Sequence, residues 1–256
     1  MITLIFGKPG FGKTALNTYF AVRNSLDRQR YKNTCLSIDE LNSDGYNFSK
    51  PPLSHSVFTN YTVFNKCKYS RGKFTYIFNP FEFSLPTYEM NYSIFPPYSS
   101  LHIQEAQRVL NSRKSRNFRA CVSGAYENHR HIDLEIYLDM QRPKLADSNI
   151  RELVTKFIKV IGMVHKFDEM KWIIATTWYV LEFDDWAIVE RYINSNDENL
   201  GVKNSYTFDG NIFKCYNSKS NRTKFYEKGV NLDFNYITSD NIDKVDMVAP
   251  DNFLER

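Results

Sequence analysis

The chain opens MITLIFGKPGFGKTAL (residues 1–16). Ile2 to Phe6 are β-branched or apolar and are bounded by glycine, the pattern of a strand buried on both faces of a parallel sheet. Gly7-Lys8-Pro9-Gly10-Phe11-Gly12-Lys13-Thr14 follows and fits G-x-x-x-x-G-K-[ST]. The chemistry explains the spacing. Glycines let successive backbone N–H groups curl into a concavity that attracts phosphate oxygens at the start of a helix. The lysine then reaches the β- and γ-phosphates, and the threonine hydroxyl ligates Mg²⁺. From Thr14 to Arg28, Ala15, Leu16, Tyr19, Phe20, Val22 and Leu26 recur near helical spacing, so strand, loop and helix stand in the required order. Gly7, Lys8, Pro9, Gly10, Phe11, Gly12, Lys13, Thr14 and Ala15 are therefore the expected cradle for ATP and Mg²⁺.

The chain has 256 residues, 42% of them hydrophobic, which supports a real core. Its 33 Lys and Arg against 29 Asp and Glu leave a net charge of only +4, so a nucleic-acid contact would need a local patch. Cys35, Cys67, Cys121 and Cys215 lie far apart with no C-x-x-C pair, which suggests neither a disulfide framework nor a zinc ribbon. The N-terminal residues read as strand rather than leader, and the longest apolar run, Trp172 to Phe183, is too short and too polar to span a bilayer. A cytoplasmic protein is expected.

Further strands are expected at Thr34–Ile38, Ser56–Asn60, Lys73–Phe78, Ser99–Ile103, Leu134–Met140, Phe157–His165, Lys171–Val180 and Tyr206–Cys215. Phe118–Asn128 reads as helix. A second helix starts at Asp147–Val154, capped by Asp147 or Ser148. Residues 61–97 are rich in proline and aromatics and read as an ordered insertion, and residues 229–256 as a peripheral tail. One ATPase domain over residues 1–228, with its core in about 1–180, is the expected organisation. Alternation of strands and helices predicts a three-layer α/β/α sandwich with a mostly parallel sheet and β-rich additions towards the C-terminus.

Hydrolysis needs an acid at the end of a neighbouring strand. Three stretches compete: CLSIDEL (residues 35–41) with Asp39, EIYLDMQ (residues 135–141) with Asp139, and SSLHIQEAQ (residues 99–107) with Gln104 and Glu105. The third carries a resemblance. PPYSSLHIQEAQ (residues 96–107) and ENHRHIDLEIYLDMQRPKLADSNIRELV (residues 127–154), together with GKPGFGKT, resemble the zonula occludens toxin-like family, which includes assembly ATPases of filamentous phages. The matching residues are Glu105-Ala106-Gln107, His129-Arg130-His131, Gln141, Ile150-Arg151 and Leu153-Val154, in the family's order; VFTN (residues 57–60) and FKCYNS (residues 213–218) are weaker echoes.

The resemblance implies a P-loop NTPase related to the FtsK and HerA translocases. It would be an ATP-driven motor for phage or viral DNA extrusion, packaging or virion assembly, working as a homo-oligomer such as a hexameric ring. Its partners would be phage DNA and phage structural or membrane assembly proteins, and its place the host cytoplasm or, through a partner, the inner membrane. Glu105 would orient the attacking water, Gln141 would sense the γ-phosphate, and Arg130 or Arg151 would reach a neighbour's nucleotide. Where the family carries the Walker B aspartate, this chain has Gln104, which can accept a hydrogen bond from a magnesium-bound water but adds no charge. A non-catalytic nucleotide-binding scaffold is thus the alternative, with a small-molecule kinase behind it. His129 and His131 lack a third ligand for a metal. Arg108, Arg113, Lys114, Arg116 and Arg119 form a basic run that reads as a solvated face.

Overall fold

The computed structural model describes residues 1–25, 27–45, 57–59, 61, 63, 98–108, 110 and 126–216. Strand β1 (Ile2–Phe6) is buried along its whole length and lies inside a seven-stranded sheet of order β2-β3-β4-β1-β5-β6-β7. The other strands are β2 (Val57–Thr59), β3 (Ser100–Ile103), β4 (Glu135–Met140), β5 (Lys156–Phe167), β6 (Ile173–Phe183) and β7 (Val202–Asp209). β2, β3, β4, β1 and β5 run parallel, while β6 and β7 add on antiparallel. The mostly parallel sheet and its β-rich C-terminal addition are as expected from the sequence.

Side chains of a strand alternate between faces, and β1 shows why both faces are covered. Ile2, Leu4 and Phe6 join one core with Ile150 of α3 (Ser148–Leu153) and Val189 and Tyr192 of α4 (Trp186–Ser195). Ile5 faces the other core with Ala15, Leu16 and Phe20 of α1 (Lys13–Ser25) and with Tyr137, Ile158 and Val180. Each fully buried aliphatic chain contributes roughly 1.5–3 kcal/mol, so the central strand and its helices hold one another in place. The result is the expected α/β/α sandwich. Asp147 caps α3 by accepting from the Asn149 N–H at 3.0 Å, as the sequence suggested.

Two segments differ from expectation. Thr34–Ile38 lies within helix α2 (Arg28–Ser43) and is not a strand. A five-residue run with three apolar members cannot distinguish the two, and here polar helix formers on both sides extend the helix while only one side of the run turns inward: Ile38 is buried and Leu36 exposed. The final strand begins earlier, at Val202, and ends at Asp209; Ile212–Lys214 is a 3₁₀ turn. The expected strand at Lys73–Phe78, nearly all of the 61–97 insertion, the basic run beyond Arg108, the tail and all but the last three residues of the Phe118–Asn128 helix lie outside the described residues. Among the described residues no helix is long and apolar enough to cross a membrane.

Candidate nucleotide site

Phe6 delivers the chain to the glycine-rich loop at the carboxyl edge of the parallel strands. At Gly7 a Cβ would lie 2.9 Å from the Val160 carbonyl oxygen of β5, so the loop passes against the neighbouring strand with room for hydrogen alone. At Gly12 φ is +82°, and a Cβ would lie 2.6 Å from Met163 Sδ and 3.0 Å from Trp178 Nε1. The loop is thus wedged beneath the β5–β6 hairpin. Lys8, Pro9 and Gly10 are exposed, whereas Phe11 is half-buried and packs on the α1-side core. The Leu16 N–H donates to the Gly12 carbonyl at 2.8 Å and starts α1, which carries Lys13 and Thr14 half-buried and Ala15 fully buried in its first turn.

Lys13 Nζ donates to the Lys8 carbonyl at 3.0 Å, curling back over the loop. Burial pulls its proton affinity down, opposed by the negative charges of Asp139 and Glu105, so both acids lie close to this ammonium. The pairings Ile103↔Leu138 and Ile5↔Asp139 explain the convergence. Gln104 and Asp139 are the next residues along β3 and β4, level with each other at the strand ends beside the loop. Asp139 is 1% exposed, and its Oδ1 accepts the Glu105 N–H at 2.9 Å. Desolvation pushes its carboxyl up to about 6, against the Glu105 N–H bond, the Lys13 charge and the nearby Thr14 and Asn17 side chains. Asp139 Oδ2 and Asn17 Nδ2 are buried with no partner in good hydrogen-bonding geometry, although the Thr14 and Asn17 side chains lie close enough to favour the charged carboxylate. Glu105 itself is half-buried with φ +51°, a left-handed conformation that costs a non-glycine residue on the order of 1 kcal/mol or more and that the bond to Asp139 helps to hold.

A polar tie lies behind the loop that the sequence did not reveal. His102 of β3 is buried, with Nδ1 2.8 Å from Asn17 Oδ1 and Nε2 3.1 Å from Ser100 Oγ, and its ring stacks on Tyr137 at 4.6 Å. His102 thereby fixes which way Asn17 points and locks α1 to β3 and β4. The available signal was Asn17-Thr18, two polar residues in the apolar first turns of α1; both are fully buried.

The remaining expected site residues separate into two places. Gln141 is exposed and follows Met140, which pairs with Phe6, so it stands level with Gly7 at the loop. Asp39 is exposed on α2 and ends no strand. Arg130 is exposed in the 3₁₀ turn His129–Ile132 that leads into β4, at the amino end of the parallel strands and therefore opposite the loop. Arg151 on α3 stacks its guanidinium 4.5 Å from the centre of the Trp186 ring, near the start of β5 and also at that far end. Neither arginine serves the loop of its own chain. Among the described residues no group of three His, Cys, Asp or Glu could hold a metal ion by itself. Thr14 and the Asp139 oxygen without a well-placed partner do fit Mg²⁺ bound with nucleotide, because Mg²⁺ is commonly held by one or two protein oxygens, several waters and substrate phosphates.

A β1–loop–α1 unit, with β4 inserted between β1 and the acid-bearing end of β3, defines the fold as that of a P-loop NTPase. Among solved structures the chain is similar to the N-terminal domain of zonular occludens toxin from Neisseria meningitidis, with 21% identity and a TM-score of 0.50 over 84% of this chain and 98% of that one. Weaker likenesses are to the genome packaging NTPase B204 from Sulfolobus turreted icosahedral virus 2 in complex with ATP-γS (10% identity, TM-score 0.40, 80% and 95% covered) and to B204, the DNA-packaging ATPase from Sulfolobus Turreted Icosahedral Virus (11%, 0.41, 80% and 96%). No protein-family model and no curated protein matches the sequence. At these identities the likeness is one of fold.

Proposed function

We propose that this chain is an ATP-hydrolysing motor of the zonula occludens toxin-like kind, acting in phage or viral DNA movement or virion assembly. The observation that carries the reading is the convergence of Lys13, Glu105 and buried Asp139 at the end of the glycine loop. In this reading the loop N–H groups and Lys13 bind the phosphates, and Thr14 would help to hold a Mg²⁺ that would supply further positive charge there. Glu105 orients a water for attack on the γ-phosphorus; the bond from that phosphorus to the bridging oxygen breaks, and ADP keeps the electron pair. Gln141 monitors the γ-phosphate from its level beside Gly7. An arginine supplied by a neighbouring subunit, Arg130 or Arg151, completes the site, which makes the working form an oligomer. The ordered motifs from Glu105 to Val154 support the DNA-handling role.

One feature supports a second reading. A neutral Gln104 at the Walker B position suits a nucleotide-binding scaffold that does not turn over. Steady-state phosphate release, with and without single- and double-stranded DNA, separates the two. Turnover stimulated by DNA is expected for the motor; nucleotide binding with no phosphate release under any condition would leave the scaffold.

A further inference from the structure

Resting on the nucleotide site proposed above, we infer that the acid of the Mg²⁺ shell has moved one strand over: Asp139 of β4 is the positioning residue that replaces the charge missing at Gln104, the residue that follows β3. The register places the two residues side by side, since each follows one member of the Ile103↔Leu138 pair. Asp139 belongs to the α1 side of the sheet. Two residues earlier on each strand, His102 meets Asn17 of α1, and Tyr137 stacks on Phe20 of α1 at 5.1 Å. Alternation along β4 returns Asp139 to that same side, where Thr14 lies, and the Glu105 N–H bond to Asp139 brings the turn that begins at Gln104 up to it.

The contacts of Asp139 divide into one used oxygen and one without a well-placed donor. Oδ1 accepts the Glu105 N–H, which fixes the carboxylate and ties it to the residue read as orienting water. Oδ2 is buried with no donor in good hydrogen-bonding geometry, and the Thr14 and Asn17 side chains lie close enough to Asp139 to favour its charged form, as does the Lys13 charge. A buried carboxylate oxygen without a well-placed donor is destabilising, and a magnesium-bound water would relieve this by donating to it. The neutral amide at Gln104 follows from the same arrangement. Two carboxylates at adjacent strand ends would repel, so one charge shared between the two positions calls for an uncharged partner at the other. Gln104 then reads as half of an exchange between neighbouring strands rather than as a lost function.

The test is the Mg²⁺ dependence of nucleotide affinity, measured by fluorescence titration of the full chain with a labelled ATP analogue, with Mg²⁺ and with EDTA. Wild type should bind more tightly with Mg²⁺. Asp139→Asn, which keeps the shape and the acceptor for Glu105, should lose about 10- to 100-fold of that gain. The double variant Asp139→Asn/Gln104→Asp should regain it, an outcome that no merely structural role for Asp139 would give. Asp139→Asn with the full Mg²⁺ gain overturns the inference, as does a double variant that melts like wild type yet recovers none. Wild type that binds nucleotide with no gain from Mg²⁺ also overturns it and leaves the nucleotide site standing. Wild type that binds no nucleotide removes the site and the inference together.

Discussion

Trp178 stands against Gly12: a Cβ built on that glycine would come 3.0 Å from the indole Nε1, in a backbone conformation of φ +82°. The indole is fully buried, and its N–H has no partner. The phosphate loop and the β5–β6 hairpin are therefore fitted to each other, and the loop cannot change shape without moving β6.

Gly12→Ala should reveal that fit. The new methyl meets Met163 Sδ at 2.6 Å and forces a left-handed alanine. A strain of about 1–3 kcal/mol is expected, and at about 2–4 °C per kcal/mol the melting temperature should fall by several degrees. Thermal unfolding followed by circular dichroism checks it. An unchanged melting temperature would show that the hairpin yields freely.

The loop and its flanks were legible because everything they need is local: an apolar run, a glycine spacing and a helical period within the first 28 residues. The acids were not. Gln104 and Asp139 are brought level by strand pairing between segments that the sequence cannot align, and only the order β3-β4-β1 places Asp139 beside the loop. The His102–Asn17 tie was hidden for the same reason. Thr34–Ile38 was misjudged because a short apolar run fits strand and helix alike, and a buried Ile38 beside an exposed Leu36 becomes intelligible only once the helix is seen. For Arg130 and Arg151 the resemblance implied a role but no location, and both lie at the far end of the sheet from the loop of their own chain.

Acid stability should depend on Glu182. Burial raises its proton affinity, but the Tyr206 hydroxyl and the Lys156 ammonium at 2.9 Å outweigh this and hold the carboxyl below its usual value. A carboxyl depressed in the folded state stabilises fully above its unfolded value of about 4.3 and loses that contribution as pH falls through the folded value. The difference in urea midpoint between wild type and Glu182→Gln should be largest near neutral pH and shrink below about pH 4. A constant difference from pH 7 to pH 3 would contradict this linkage.

Subunit mixing should locate the arginine. Lys13→Ala subunits lack the phosphate clamp, and Arg130→Ala or Arg151→Ala subunits lack the residue offered to a neighbour. Mixed populations should regain phosphate release for one arginine only. Arg151→Ala should also lower stability by about 0.5–1 kcal/mol, because its guanidinium stacks on Trp186. Full activity in a species that light scattering shows to be monomeric would remove the shared site.

The most direct measurement is calorimetric titration of the wild-type chain and of Lys13→Ala with Mg·ATP under conditions where neither turns over appreciably. Wild type should bind one nucleotide per chain. Removing the ammonium that two nearby acids favour against its burial at the loop should weaken binding by about 10- to 100-fold with the fold intact. Equal affinity in the two proteins, or no binding by a folded wild type, would contradict a nucleotide site at Lys13 and Thr14.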